Sequence, residues 1–193
     1  MGTKCYVSRD NVASDPNLTI EALQRTLQWV ETIRGRLPPK LYLQVDNCWR
    51  ENKNCYLLNW LISLVERGLF PDGIYLSFLP VGHTHNEVDQ VASRISIALR
   101  NRDIHTPDEL VRLLKNAFDD MDVRFISQVA DTKEFLNPQQ KDSWTKSRFK
   151  RIQNVSAYRF FKIYRNHLKH VACEHKVCEE QEKWSRPFYF IKA

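Results

Sequence analysis

The sequence predicts an α/β fold, and three observations carry that prediction. Residues from about 17 to 100 alternate between helical and strand-like hydrophobic periods, in the order helix, strand, helix, strand, helix. The two strand segments, LYLQV at 41–45 and IYLSFL at 74–79, are short apolar runs of the kind buried in parallel sheets. Polar clusters, Asp46-Asn47 and His83-Thr84-His85, follow their carboxyl ends, which is where open α/β sheets hold ligands. Alternation of this kind implies parallel strands joined by right-handed crossovers.

Residues 1–16 read as an irregular lead-in that ends at Asp15-Pro16. Ile20, Leu23, Leu27, Val30 and Ile33 then share one helical face, with Thr19 or Asn17 as candidate caps. Gly35 and Pro38-Pro39 stop that helix and turn the chain into the first strand. The polar loop Asn47 to Asn54 opens a second helix. Its apolar surface (Tyr56, Leu57, Trp60, Leu61, Leu64, Val65) is broad enough to be sandwiched inside a domain. Pro71-Asp72-Gly73 is a turn before the second strand. Val88, Val91, Ala92, Ile95 and Leu99 mark a third helix. Thr106-Pro107-Asp108-Glu109 starts a fourth, with Leu110, Leu113, Leu114, Ala117, Phe118 and Met121 continuing its period. Beyond Asp131 the pattern changes: Ala157 to Arg165 and Lys169 to Cys178 are β-prone, and 187–192 reads as a further short strand. The expected organisation is a lead-in at 1–16, an α/β domain at 17–131, and a basic, aromatic, antiparallel extension at 132–193.

With 193 residues, 42% hydrophobic and 27% charged, the chain suits one sizeable folded domain plus an appendage, and wholesale disorder is excluded. No apolar run approaches the roughly 20 residues of a membrane span. Residues 1–15 lack a signal-peptide core, and Tyr6 stands where a myristoylation site wants Ser or Thr. A net charge of +6 and a pI of about 9.1 favour acidic partners, nucleic acid first. Five cysteines, an odd number without a secretory signal, read as reduced thiols of an intracellular protein.

Asp46, at the end of the first strand, and Asp89, at the start of the helix after the second, are the leading candidates for chemistry. Neighbouring strand ends would bring them together, and paired carboxylates suit Mg²⁺ or Mn²⁺. Two such ions activate an attacking oxygen and stabilise the leaving one. The alternative is structural, with Asp46 in an Asx turn and Asp89 as a first-turn carboxylate. His83, His85 and Asp89 form HTHxxxD, which could ligate zinc or iron; contact with substrate or with a ligating carboxylate is favoured over direct ligation. His170, Cys173, His175 and Cys178 have a zinc-like spacing, but on a strand they alternate faces and a solvated hairpin is favoured. The run containing Lys141, Lys146, Arg148, Lys150 and Arg151, interleaved with Trp144 and Phe149, is either a phosphate-backbone contact or a solvated charged face. Cys48 beside Asp46 reads as a packed thiol rather than a nucleophile.

LQVDNCWRENKN followed by FLPVGHTHNEVDQVASRIS resembles the signature of an uncharacterised, transposon-derived domain family of eukaryotic proteins, D-N-C-x-x-E-N-K-N then F-L-P-V-G-H-T-H-x-x-x-D-Q. The resemblance runs from about Thr19 to Arg100. That family is similar to DDE transposases and integrases of the ribonuclease H-like fold. The implied layout is three antiparallel strands, then helix, strand, helix, strand and helix, of which the second half corresponds to this chain. By that correspondence Asp46 is the second metal carboxylate and Asp89 the third acidic residue. Asn47, Glu51, Asn52, Asn54, His83 and His85 match the motif without an assigned role.

In such a fold the first carboxylate comes from the first strand, which residues 1–18, with Asp10 and Asp15 in an irregular stretch, are not expected to supply. The resemblance therefore implies a partial ribonuclease H-like domain, ancestrally a Mg²⁺-dependent DNA strand-transfer enzyme, with little or no activity as this chain. It also implies a missing N-terminal half or another protein partner, a strand of the parallel sheet left unpaired, and a nuclear setting. A non-catalytic nucleic-acid or protein-binding module is the alternative. A hydrolase built on His83, His85 and Asp89 is a third.

Overall fold

The computed structural model describes residues 3–79, 87–132 and 155–189. In chain order its elements are β1 (Thr3–Ser8), α1 (Pro16–Arg34), β2 (Leu41–Val45), α2 (Cys55–Glu66), β3 (Ile74–Phe78), α3 (Glu87–Leu99), α4 (Pro107–Ala117), β4 (Met121–Ile126), β5 (Phe160–Arg165), β6 (Val171–Lys176) and β7 (Phe188–Tyr189). They fall into two compact units, Met1–Ala13 with Gly82–Val129 and Ser14–Val81 with Ala130–Ala193.

The second unit carries the expected α/β alternation. β2 and β3 are parallel and in register, from Leu41 opposite Ile74 to Val45 opposite Phe78. α1 starts earlier than the period alone indicated. Asp15 is the cap and accepts from the Asn17 N–H at 2.8 Å, with Pro16 preset for the first turn, so neither Thr19 nor Asn17 is the capping residue. Gly35 closes the helix in the left-handed conformation, φ 72°, as its position predicted. α2 is capped by Asn54 and buried from Leu57 through Val65. It is apolar around its circumference because α1 covers one side and the sheet the other. Ile20 of α1 joins Leu57, Leu61, Leu64 and Val65 of α2, and Ile74, Leu76 and Phe78 of β3, in one core. Each fully buried side chain of this size contributes about 1.5–3 kcal/mol.

The extension does not stand apart. β5 runs antiparallel beside β3, with Ile74 opposite Ile163 and Ser77 opposite Phe160, and β6 and β7 follow antiparallel. Among the described residues this gives a five-stranded sheet in the order β2-β3-β5-β6-β7. Phe161, Ile163, Val171 and Cys173 complete the core over α2. The antiparallel character of this region agrees with its sequence. Gly73 is required at the entry to β3: its φ is 91°, and a Cβ there would lie 2.6 Å from the Ile163 carbonyl oxygen.

β2 and β3 also differ from the expectation of strands apolar on both faces. Leu41, Leu43 and Val45 point to the core and Ile74, Leu76 and Phe78 are buried there, whereas Tyr42 on the opposite face is 71% exposed. The period-2 alternation of LYLQV and IYLSF produces this two-sided character.

In the first unit, Thr3–Ser8 is a strand, not an irregular lead-in. β1 pairs in parallel with β4, from Thr3 opposite Met121 to Ser8 opposite Ile126. Lys4 and Asp122 are cross-strand partners and form an ion pair on one face, while Cys5 and Val7 face the small core. The Thr106–Glu109 capping box of α4 is formed as expected, but the helix ends at Ala117, because Phe118 is already extended and Met121 opens β4. Val91 and Ile95 of α3 pack on Leu114, Phe118, Met121 and Val123. Arg94 ties α3 to the turn before β4 through a bidentate pair with Asp120 at 3.0 and 3.1 Å. No helix among the described residues is long and apolar enough to cross a membrane.

Candidate functional site

The carboxyl ends of β2 and β3 lie side by side, joined by the Leu79 N–H donating to the Val45 carbonyl at 2.9 Å. The chain leaves β2 at Asp46, whose side chain organises the loop that follows. Asp46 Oδ1 accepts from the Cys48 N–H at 3.0 Å and from Asn52 Nδ2 at 2.5 Å. Asn52 Oδ1 in turn accepts from the Thr19 hydroxyl at 3.1 Å, which fixes the loop to α1. Glu51 accepts from the Ser14 hydroxyl at 2.7 Å. Asn54 accepts from the Tyr56 and Leu57 N–H groups and donates to the Trp49 carbonyl at 3.3 Å. Three of the motif's polar residues, Glu51, Asn52 and Asn54, thus hold the loop's shape. The carboxylate of Asp46 is exposed, with Oδ1 committed to this network.

Among the described residues, two polar groups of the same loop stand out. Asn47 Oδ1 is enclosed without a hydrogen-bond donor. Lys53 is only 7% exposed, and its ammonium lies over the Phe78 ring, 5.3 Å from the centroid, at the carboxyl end of β3. Burial lowers its pKa, and the charge of Arg159 lowers it further. Arg159 is held beside Phe78 by the Phe78 N–H donating to its carbonyl at 2.8 Å. Two cations from distant parts of the chain therefore converge at the strand ends, and among the described residues no anion pairs with Lys53. Desolvation and a like charge both disfavour the ammonium, and a cation perturbed in this way at the ends of parallel strands is a candidate for binding an anion. Trp49, 74% exposed, and Arg50 project from the same loop.

Lys53 escaped the sequence reading because a lysine inside a polar run looks solvated. The one available signal was its place within DNCWRENKN, immediately before the cap of a fully buried helix. Asp89 lies in the first turn of α3, half-buried, and belongs to the other unit. His83 and His85 lie outside the described residues, as do Lys141, Lys146, Arg148, Lys150 and Arg151. Among the described residues no three His, Cys, Asp or Glu side chains gather as metal ligands. Mg²⁺ demands about six oxygen ligands, and Asp46 offers one carboxylate whose Oδ1 already accepts two hydrogen bonds.

The zinc-like spacing near the C-terminus resolves differently from a solvated hairpin. Cys173 and His175 are buried on the core face of β6, and His170 is exposed at the strand's start. His175 is stacked between Tyr158 and Phe188, with ring centroids 3.5 and 5.4 Å away, and burial lowers its pKa. Its role here is aromatic packing.

A family model described as Domain of unknown function (DUF7869) matches residues 2–181. No curated protein and no solved structure matches the chain.

Proposed function

The chain belongs to the DUF7869 family, and for it we propose a transposase-derived domain of ribonuclease H-like ancestry that binds DNA at the carboxyl ends of β2 and β3. In this reading the ancestral reaction is Mg²⁺- or Mn²⁺-dependent attack on a phosphodiester, with Asp46 and Asp89 as two of its carboxylates. The present chain keeps the binding and has lost most or all of the cleavage. The observation that supports it is Lys53: a lysine whose side chain is largely buried, whose ammonium has no acceptor among the described residues and feels the charge of Arg159, at the place where parallel sheets hold ligands. A phosphate oxygen placed between the two cations supplies the missing anion and offsets their mutual repulsion. Asn47 Oδ1, a buried acceptor, offers a partner to a sugar hydroxyl or base N–H of the same ligand. A DNA substrate places the protein in the nucleus.

The test is DNA binding measured across a salt series. Lys53→Met is expected to weaken binding and flatten its salt dependence, because one phosphate contact is lost. Asp46→Asn with Asp89→Asn should leave binding nearly unchanged. Equal binding by wild type and Lys53→Met would refute the strand-end site. Mg²⁺-dependent nicking that disappears in the double aspartate variant would show instead that the enzyme is intact.

A further inference from the structure

The other face of the larger sheet, on which Tyr42 is exposed, carries none of the strand-end residues and has its own chemistry. Alternation along the strands places Tyr42 of β2, Tyr75 of β3 and Phe160 of β5 on it, opposite the α2-facing side. Trp184, from the segment after β6, stands edge-on to Tyr75 with centroids 6.5 Å apart. Tyr42 and Tyr75 are register partners and stack at 5.2 Å with an interplanar angle of 27°. Between these rings lies a cavity of about 500 Å³, floored by the strands and walled by Trp184, within the roughly 300–1,000 Å³ range of small-ligand sites. Two lysines lie on the rings. The Lys40 ammonium is 5.9 and 5.6 Å from the Tyr42 and Tyr75 centroids, and that of Lys176 is 5.1 and 5.4 Å from Phe160 and Trp184.

We propose that this face is a stacking platform for a single-stranded nucleic acid, with unpaired bases against Tyr42, Tyr75 and Trp184 and phosphates against Lys40 and Lys176. A sheet that displays aromatic rings presents flat π-surfaces at the strand spacing of about 4.8 Å, and every nucleobase has a π-face to lay on them. Lys176 lines the cavity and the Lys40 ammonium lies over the Tyr42 and Tyr75 rings, so an anionic backbone crossing the platform meets two charges held beside the stacked bases. The ligand is a strand and not a duplex, because the bases of a duplex are stacked on one another and closed to the rings. A proline-rich peptide also docks on aromatic grooves, but it brings no anion to Lys40 or to Lys176, whose ammonium otherwise donates to the Glu179 carbonyl at 3.0 Å. Glu179 at the rim opposes the binding, and Glu174 on the same face is engaged by the Tyr164 hydroxyl.

The platform stands on observations separate from the strand-end site, and one titration series distinguishes the two. The full chain is titrated against a labelled oligothymidine of roughly 15 nucleotides and against a duplex of mixed sequence. Binding is followed by anisotropy and by quenching of tryptophan fluorescence. Tyr42→Ala and Trp184→Ala are each expected to weaken single-strand binding about ten-fold or more, the size of one lost stacking contact, with far-UV circular dichroism unchanged. Trp184→Phe should retain binding and lose the quenching. Glu179→Gln should tighten binding. Single-strand binding that survives Lys53→Met while falling in Tyr42→Ala upholds the platform even where the strand-end reading fails. Wild-type affinity in both Tyr42→Ala and Trp184→Ala, or capture of a proline-rich peptide with no affinity for the oligonucleotide, overturns it.

Discussion

Replacing Lys53 by Met should separate binding from stability in opposite directions. Lys53 is 93% removed from solvent, its ammonium has no hydrogen-bond acceptor among the described residues, and Arg159 adds repulsion. The compensating attraction is the contact with Phe78, worth about 0.5–2 kcal/mol. Against it stands the partial desolvation of the ammonium, which disfavours the charged form. Met is of similar length and makes a sulfur–aromatic contact of about 0.3–1.5 kcal/mol with the same ring. The net expectation is that Lys53→Met stabilises the sheet unit modestly, by less than about 1 kcal/mol, raising Tm by about 2–4 °C per kcal/mol. Because the folded pKa lies below the unfolded value of about 10.4, the unfolded chain binds more protons between the two. Wild-type stability should therefore rise with pH across that window and Lys53→Met stability should not. Added inorganic phosphate at constant ionic strength should stabilise the wild type, by about 1.4 kcal/mol at ten times its Kd, and leave the variant unmoved. Thermal denaturation followed by circular dichroism measures all three. A variant that is less stable than wild type by 1 kcal/mol or more, with an equal response to phosphate, would show that Lys53 is a structural residue and would remove the reasoning behind the site.

His175 is neutral in the fold because burial lowers its pKa, so the sheet unit should lose stability as pH falls below about 6.5 towards the folded value. His175→Phe, which keeps the ring between Tyr158 and Phe188, should abolish that slope in urea titrations at pH values on either side of it. Gly73→Ala forces a Cβ to within 2.6 Å of the Ile163 carbonyl at φ 91°, and a loss of about 2 kcal/mol or more is expected from the strain; a neutral result in the same urea titration would mean that β3 and β5 shift apart freely. Cys173 is fully buried and burial pushes its thiol well above the ordinary range. It should resist a thiol reagent until the protein unfolds, while the half-buried Cys48 reacts in the native state, as peptide mapping of the modified protein would record.

The run from α1 to α3 was legible because each element there has a long, unambiguous period and a chemical stop, such as Gly35 or Pro71-Asp72-Gly73. β1 was missed because TKCYVS has only Cys5, Tyr6 and Val7 to mark it, and its pairing with β4 depends on residues more than a hundred positions away. Met121 continued the apolar period of α4, so nothing local separated a longer helix from a turn followed by a strand; the Asp119-Asp120 pair marks that break. The antiparallel character of 157–178 was readable from alternation, but its union with β3 was not, since strand pairing is a tertiary choice among several apolar edges. At the candidate site, Asp46 and its loop were visible as a motif. The cation pair was not, because Arg159 joins Lys53 only once β5 has docked.

That late docking has a kinetic side. β3 is an interior strand of its sheet, yet the neighbour on its second edge comes from β5, with Ser77 opposite Phe160. All of the first unit's α3, α4 and β4 is synthesised in between. A ribosome that has released β3 therefore leaves Ile74, Leu76 and Phe78 with an open edge until the strand at 160–165 emerges. Such non-local pairing slows folding and lengthens the exposure of aggregation-prone strands. Yield from a heterologous host should consequently respond to translation speed and temperature more than to the final stability of the fold.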